Sequence, residues 1–135
     1  MKILVVGAGV AGLSATINLQ RRGHAVTLLE VAPEIRTSGS PIDVRGDALD
    51  MVREMGILDE IRAAEIRMSV DSEFVDDHGN RIAGFSTEHS HDRPDDIEIT
   101  RPDLMRILVG ALEPGTDLRF ATTVADLAAG ADGVH

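Results

Sequence analysis

The opening thirty residues constrain the fold more than any other part of the chain. Lys2 to Val6 (KILVV) is a short apolar run with strand character. Gly7-Ala8-Gly9-Val10-Ala11-Gly12 follows at once, placing three glycines in GxGxxG spacing. A helical pattern comes next, with Leu13, Ile17 and Leu19 on or near one face and Arg21-Arg22-Gly23 closing it. A second apolar run, Ala25 to Leu29, ends in Glu30. Strand, glycine turn, helix, strand and acid, in this order, make a Rossmann βαβ unit of the kind that holds a dinucleotide. Each part has a physical task. Gly7 permits the tight turn, Gly9 lets a pyrophosphate approach the backbone, and Gly12 lets helix and strand pack closely. The helix start offers free N–H groups and a positive dipole end to phosphate. Glu30, 18 residues after Gly12, can accept hydrogen bonds from both hydroxyls of an adenosine ribose.

Two plainer readings compete. One is a βαβ unit whose glycine turn is only structural. The other is a secretory signal, since Lys2 precedes an apolar stretch from Ile3 to Ala15. A cleaved peptide has no use for three glycines in this register, or for a helix and strand ending in an acid.

Composition narrows the classes further. A chain of 135 residues is one domain at most, with enough length to bury a core. The net charge of −10 argues against a nucleic-acid partner, because a phosphate backbone demands a basic patch. No apolar run is long enough to span a membrane. The absence of cysteine excludes disulfides, zinc–thiolate sites and thiol catalysis, and fits a cytoplasmic protein. Tyr and Trp are absent and Phe occurs three times, so aromatic stacking on a ring system is not expected. Twelve of the thirteen basic residues are arginine, most of them expected as surface charges.

Residues 31–45 read as an extended loop, broken by Pro33, Gly39 and Pro41. Asp47 to Met55 is amphipathic and ends at Gly56; Leu58 to Ala64 is a second short helical turn. Arg67 to Val75 alternates as a strand, Asp77-His78-Gly79-Asn80 is a turn, and Arg81 to Phe85 returns, so 67–86 predicts a β-hairpin. Residues 86–96 form a polar loop. Thr100 fits a helix N-cap, with Pro102 and Asp103 in the first turn, and the helix should run to about Glu113 before Pro114-Gly115. Leu118 to Val124 predicts a strand. Ala125 to Asp132 (ADLAAGAD) also reads as a buried strand, which creates a conflict. Two parallel strands of one sheet need a crossover of about a dozen residues or more, and no turn residue separates Val124 from Ala125. Either the tail is a helix, which its alanines permit, or a connecting piece is missing.

Three further segments carry a resemblance. They are Arg36-Thr37-Ser38-Gly39-Ser40-Pro41-Ile42-Asp43, Ile99-Thr100-Arg101-Pro102-Asp103-Leu104, and Ala125 to His135 with its Asp132-Gly133 pair. With the glycine fingerprint, the whole chain resembles the N-terminal half of the FAD-binding domain of class A flavoprotein monooxygenases, which include aromatic hydroxylases and tetracycline-inactivating enzymes. The resemblance implies an α/β, Rossmann-like FAD/NAD(P)-binding domain. It implies that Arg36 faces the nicotinamide cofactor, that Asp43 and Arg101 contact FAD, and that Asp132 helps hold the FAD pyrophosphate and the pyridine nucleotide. The departures matter. Thr16 stands where the family usually has alanine, so helix–sheet packing should be looser. The antiparallel meander before the Asp-Gly motif is absent, in agreement with the junction conflict at Val124-Ala125. The second flavin-contact segment and the substrate domain are absent too, so the domain is expected to be incomplete: a fragment, a truncated product or a chain with an internal deletion.

Each cofactor residue has a plainer alternative. Arg36 reads equally as a solvated loop charge, Asp43 as a loop residue bonding its own backbone, and Arg101 as a helix-start arginine pairing with Asp103 or Glu98. His89 and His91 stand at i, i+2 without a third metal ligand in view, and no metal is expected. Glu65, Asp71, Glu73, Asp76 and Asp77 read as a solvated face. By resemblance, NADPH or NADH would reduce FAD, and the reduced flavin would activate oxygen for a small aromatic or polyketide-like substrate. No residue here reads as a general acid or base, so the chain is not expected to be active alone. A completing chain or a homo-oligomer is the expected partner. The alternatives are a non-catalytic dinucleotide-binding module, and an NAD(P)-binding reductase domain without flavin.

Overall fold

The computed structural model describes residues 1–36, 38–66, 72–85, 95–131 and 133–134. Along the chain run β1 (Lys2–Val6), α1 (Val10–Arg21), β2 (Ala25–Leu29), β3 (Ile42–Val44), α2 (Asp47–Glu54), α3 (Leu58–Ala63), β4 (Ser72–Val75), β5 (Arg81–Phe85), β6 (Ile97–Ile99), α4 (Arg101–Gly110), β7 (Asp117–Arg119), β8 (Ala129–Gly130) and β9 (Gly133–Val134). They divide into two compact units, residues 1–38 with 102–135, and residues 39–101. The length alone predicts a single domain. The middle segment has strand pairs and a helix pair of its own.

In the first unit β2 is the central strand, with β1 and β7 parallel to it on either side. The register pairs Ile3 with Val26 and Val5 with Leu28, and these residues share one sheet face. Helix α1 buries Leu13, Thr16, Ile17 and Gln20, the i, i+3, i+4, i+7 stripe of an amphipathic helix. Leu19 is only half-buried. Thr16 belongs to this buried stripe. It is fully buried, and its hydroxyl donates to the Gly12 carbonyl at 2.8 Å. Gln20 ties the two ends of the chain together: its amide donates to Thr116 Oγ1 at 2.7 Å, and its Oε1 accepts from the Glu113 N–H at 3.4 Å.

The last third of the chain departs most from expectation. Helix α4 stops at Gly110 rather than near Glu113, and β7 covers 117–119 rather than 118–124. The tail is neither a buried parallel strand nor a helix. Residues 122–128 are irregular, and Ala129–Gly130 turns back on Gly133–Val134 as a minimal antiparallel pair. The junction at Val124-Ala125 gives no room for a crossover, and a strand without a partner does not form.

In the second unit β3, inside the stretch read as an extended loop, pairs antiparallel with β6. β4 and β5 form a hairpin around a tight turn in which Asp76 Oδ1 accepts from the N–H groups of His78 and Asn80, at 2.9 and 2.8 Å. The predicted hairpin residues 67–71 lie outside the described residues. Val52, Met55, Ile57 and Ile61 from α2, α3 and their connection are buried, as are Val44, Ile97 and Ile99.

Candidate functional site

The site begins where β1 hands over to α1. Gly7 has φ +98°, a conformation that side chains rarely tolerate, and its N–H donates to the Leu29 carbonyl at 2.7 Å. The chain therefore reverses tightly over the end of β2. Gly12 meets the turn from the other side. A Cβ built there would collide with the Gly7 carbonyl group and stand 3.6 Å from a Val5 methyl. That is the close helix–strand approach predicted for the third glycine. Gly9 is different. Its φ is −77° and a Cβ there would have open space around it. The backbone needs no glycine at this position, and the space in front of it is open.

Helix α1 starts at this open side without a side-chain cap on Gly9 and without an acid in its first turn. Its leading N–H groups and dipole thus face the space over Gly9 uncompensated by a carboxylate cap.

Glu30 closes the site from β2. Its Oε2 accepts from the Ala8 N–H, in the middle of the glycine turn, at 2.7 Å. Its Oε1 accepts from the Ala32 N–H at 2.8 Å. These two bonds, Ala32 first and Ala8 second, hold the carboxyl below its ordinary range against a partial burial that opposes ionisation; the charge of Arg36 and the Val31 N–H add to the lowering. The backbone of Glu30 is moored as well. Its N–H donates to the Arg119 carbonyl at 2.9 Å and its carbonyl accepts from the Thr122 N–H at 3.0 Å. The end of β7 and the residues just after it therefore fix the acid, a role that no sequence signal in 119–122 announces. Beyond Glu30, residues 31–36 and Ser38 line an open cavity of about 580 Å³ with Arg36 on its wall.

Thus Gly7, Gly9, Gly12, Glu30 and Arg36 belong to one unit and surround the same strand ends. Asp43 and Arg101 belong to the other. Asp43 sits on β3 opposite Glu98 of β6, so two carboxylates face each other across the ladder. Arg101 opens α4, and its side chain lies over the backbone of Gly39. Asp132, His89 and His91 lie outside the described residues. The acids read as a solvated face divide: Asp76 organises the β4–β5 turn and Glu73 pairs with Arg81 at 3.2 Å.

A family model for the FAD binding domain matches residues 1–135. The chain belongs to this FAD binding domain family. A flavin-dependent monooxygenase of Legionella longbeachae is 42% identical over 111 residues, covering 81% of this chain and 28% of that protein. An uncharacterized protein of Mycobacterium tuberculosis is 37% identical over 139 residues, covering all of this chain and 37% of its own length. Among solved structures, the tetracycline destructase Tet(51) superposes with TM-score 0.81 at 32% identity, over 98% of this chain and 33% of that one. Klebsiella pneumoniae HpxO, complexed with FAD and uric acid, shares the fold at TM-score 0.73 and 24% identity, over 99% of this chain and 34% of that one. The FAD binding domain seen here spans about a third of the length of these relatives.

Proposed function

We propose that this chain holds the adenosine and pyrophosphate half of FAD in an NAD(P)H-dependent monooxygenase acting on a small aromatic or polyketide-like compound. The supporting observation is the pairing of Glu30 with the Ala8 N–H beside an open Gly9. An ionised, fixed acceptor stands next to an uncapped helix start, which is the arrangement a ribose followed by a pyrophosphate requires. A carboxylate has about four acceptor sites, so two backbone bonds leave capacity for ribose hydroxyls. Val31 and Ile35 give the adjoining cavity an apolar wall on which an adenine can lie. Arg36 on the same wall is the group for a nicotinamide-cofactor phosphate, Asp43 and Arg101 for further FAD contacts, and Asp132 for the pyrophosphate. Bound FAD supplies the redox chemistry, passing electrons from NADPH or NADH to oxygen. The chain's own part is binding, orientation and charge.

Titration of the purified chain with FAD, followed by flavin fluorescence, tests this, with NADPH and NADH titrated in parallel. FAD should bind, and Glu30→Ala should weaken it by about tenfold or more. Tight NADPH binding with no FAD binding would replace the reading by a reductase domain without flavin.

A further inference from the structure

We propose that Gly39 is a positioning residue that seats the Arg101 side chain for the cofactor, an inference that rests on Arg101 being an FAD contact. Gly39 and Arg101 are 62 positions apart and belong to the same compact unit. A Cβ built on Gly39 would stand 2.5 Å from Nε and 2.6 Å from Cδ of Arg101, and 3.6 Å from Cζ. The arginine stem therefore lies directly on the glycine backbone, in space that any side chain would occupy. Gly39 also has φ +137°, which presents its backbone in a conformation that other residues rarely reach. Arg101 is exposed, and among the described residues no hydrogen bond or ion pair holds its guanidinium. What restrains it there is the surface that Gly39 leaves bare.

The consequence follows from the kind of atom displaced. The middle of an exposed arginine swings aside at small cost to the fold, so crowding by a methyl group moves the side chain and leaves the packing intact. A guanidinium binds well when its planar fork is already aimed, and loses affinity when each turnover of binding must re-immobilise a long side chain. Gly39→Ala therefore has two separable effects. Backbone strain lowers stability whatever stands at 101. Displacement of the guanidinium lowers cofactor affinity only while Arg101 is present.

A double-mutant cycle on the full chain reads this directly, with FAD affinity by fluorescence and stability by urea unfolding. Arg101→Ala should weaken FAD binding by about tenfold. Gly39→Ala should weaken it by about threefold to tenfold. In the Arg101→Ala background, Gly39→Ala should change FAD affinity no further, while its stability cost persists. Equal affinity losses in both backgrounds would overturn the seat. Unchanged affinity in Arg101→Ala alone would sink the reading of Arg101 as an FAD contact, a different failure. Should Gly39→Ala not fold, or the chain not bind FAD, NMR of the parent decides the geometry: a cross-relaxation peak between the Gly39 Hα and Arg101 Hδ protons supports the seat, and its absence overturns it.

Discussion

Gly7, Gly9 and Gly12 are one motif in sequence and three different devices in structure. Gly7 is required by its backbone angle, Gly12 by the carbonyl its side chain would strike, and Gly9 by neither. Substitutions should separate them. Gly12→Ala should cost about 1–3 kcal/mol of stability, because the Gly7 carbonyl cannot retreat without opening the turn. Gly9→Val should fold normally and lose FAD, since the branched side chain fills only the space a pyrophosphate needs. Thermal melts and flavin retention after desalting would read both; retained FAD in Gly9→Val would place the phosphates elsewhere. Glu30 adds a pH dependence at the same scale. Its carboxyl is depressed in the folded chain, mainly by the Ala32 and Ala8 N–H groups. A depressed acid contributes stability that is present above its unfolded value, about 4.3, and is lost as pH falls through the lower folded value. Stability of the parent should therefore drop below about pH 4 more steeply than that of Glu30→Gln. Parallel acid unfolding curves for the two would show that the clamp is not formed.

Elements were legible in the sequence in proportion to how local their causes are. β1, α1 and β2 carry their own periodicity and a glycine turn between them, and their bounds can be read almost to the residue. α2 and α3 are legible for the same reason. β3 and β6 are not. Each has three residues, and each is a strand only because the other lies opposite, far along the chain: Ile42 pairs with Ile99, 57 positions away. No pattern so short separates strand from loop. The site divides in the same way: the glycines and Glu30 are readable, whereas the mooring of Glu30 by residues 119–122 is a tertiary fact. Gln20 is a second such fact. It is a polar residue of α1 that is 93% buried, bonded to Thr116 and Glu113 from far along the chain. Gln20→Leu should cost about 1–3 kcal/mol, because it strands the Glu113 N–H and removes an acceptor-donor pair at Thr116. Chemical denaturation would measure it; a neutral result would mean that water satisfies both groups.

At the scale of the whole molecule, the sheet of the first unit has one well-covered face and one bare strand. Ile3 and Val5 lie on the face shared with buried Val26 and Leu28. Leu4 and Val6, on the other face, are 48% and 58% exposed. Among the described residues the edge of β1 away from β2 pairs with no strand. The tail does not supply one. Leu127 and Val134 are themselves 63% and 67% exposed. A strand parallel to β1 would have to start at the opposite end of the sheet from where β7 stops, and residues 120–128 are too few to cross back and still form it. An unpaired edge flanked by bare apolar side chains is a template for association. The chain is accordingly expected to associate with a second copy, or with a chain that completes the sheet, through β1. Light scattering across a dilution series should show species larger than the monomer. Leu4→Lys and Val6→Lys should shift the population toward the monomer, because a charge on this face must be desolvated in any such contact. FAD binding by those variants should be unchanged, since neither residue takes part in the glycine turn or the Glu30 clamp. A monodisperse monomer of the parent chain, indifferent to both substitutions, would show instead that this face is stable in water as it stands.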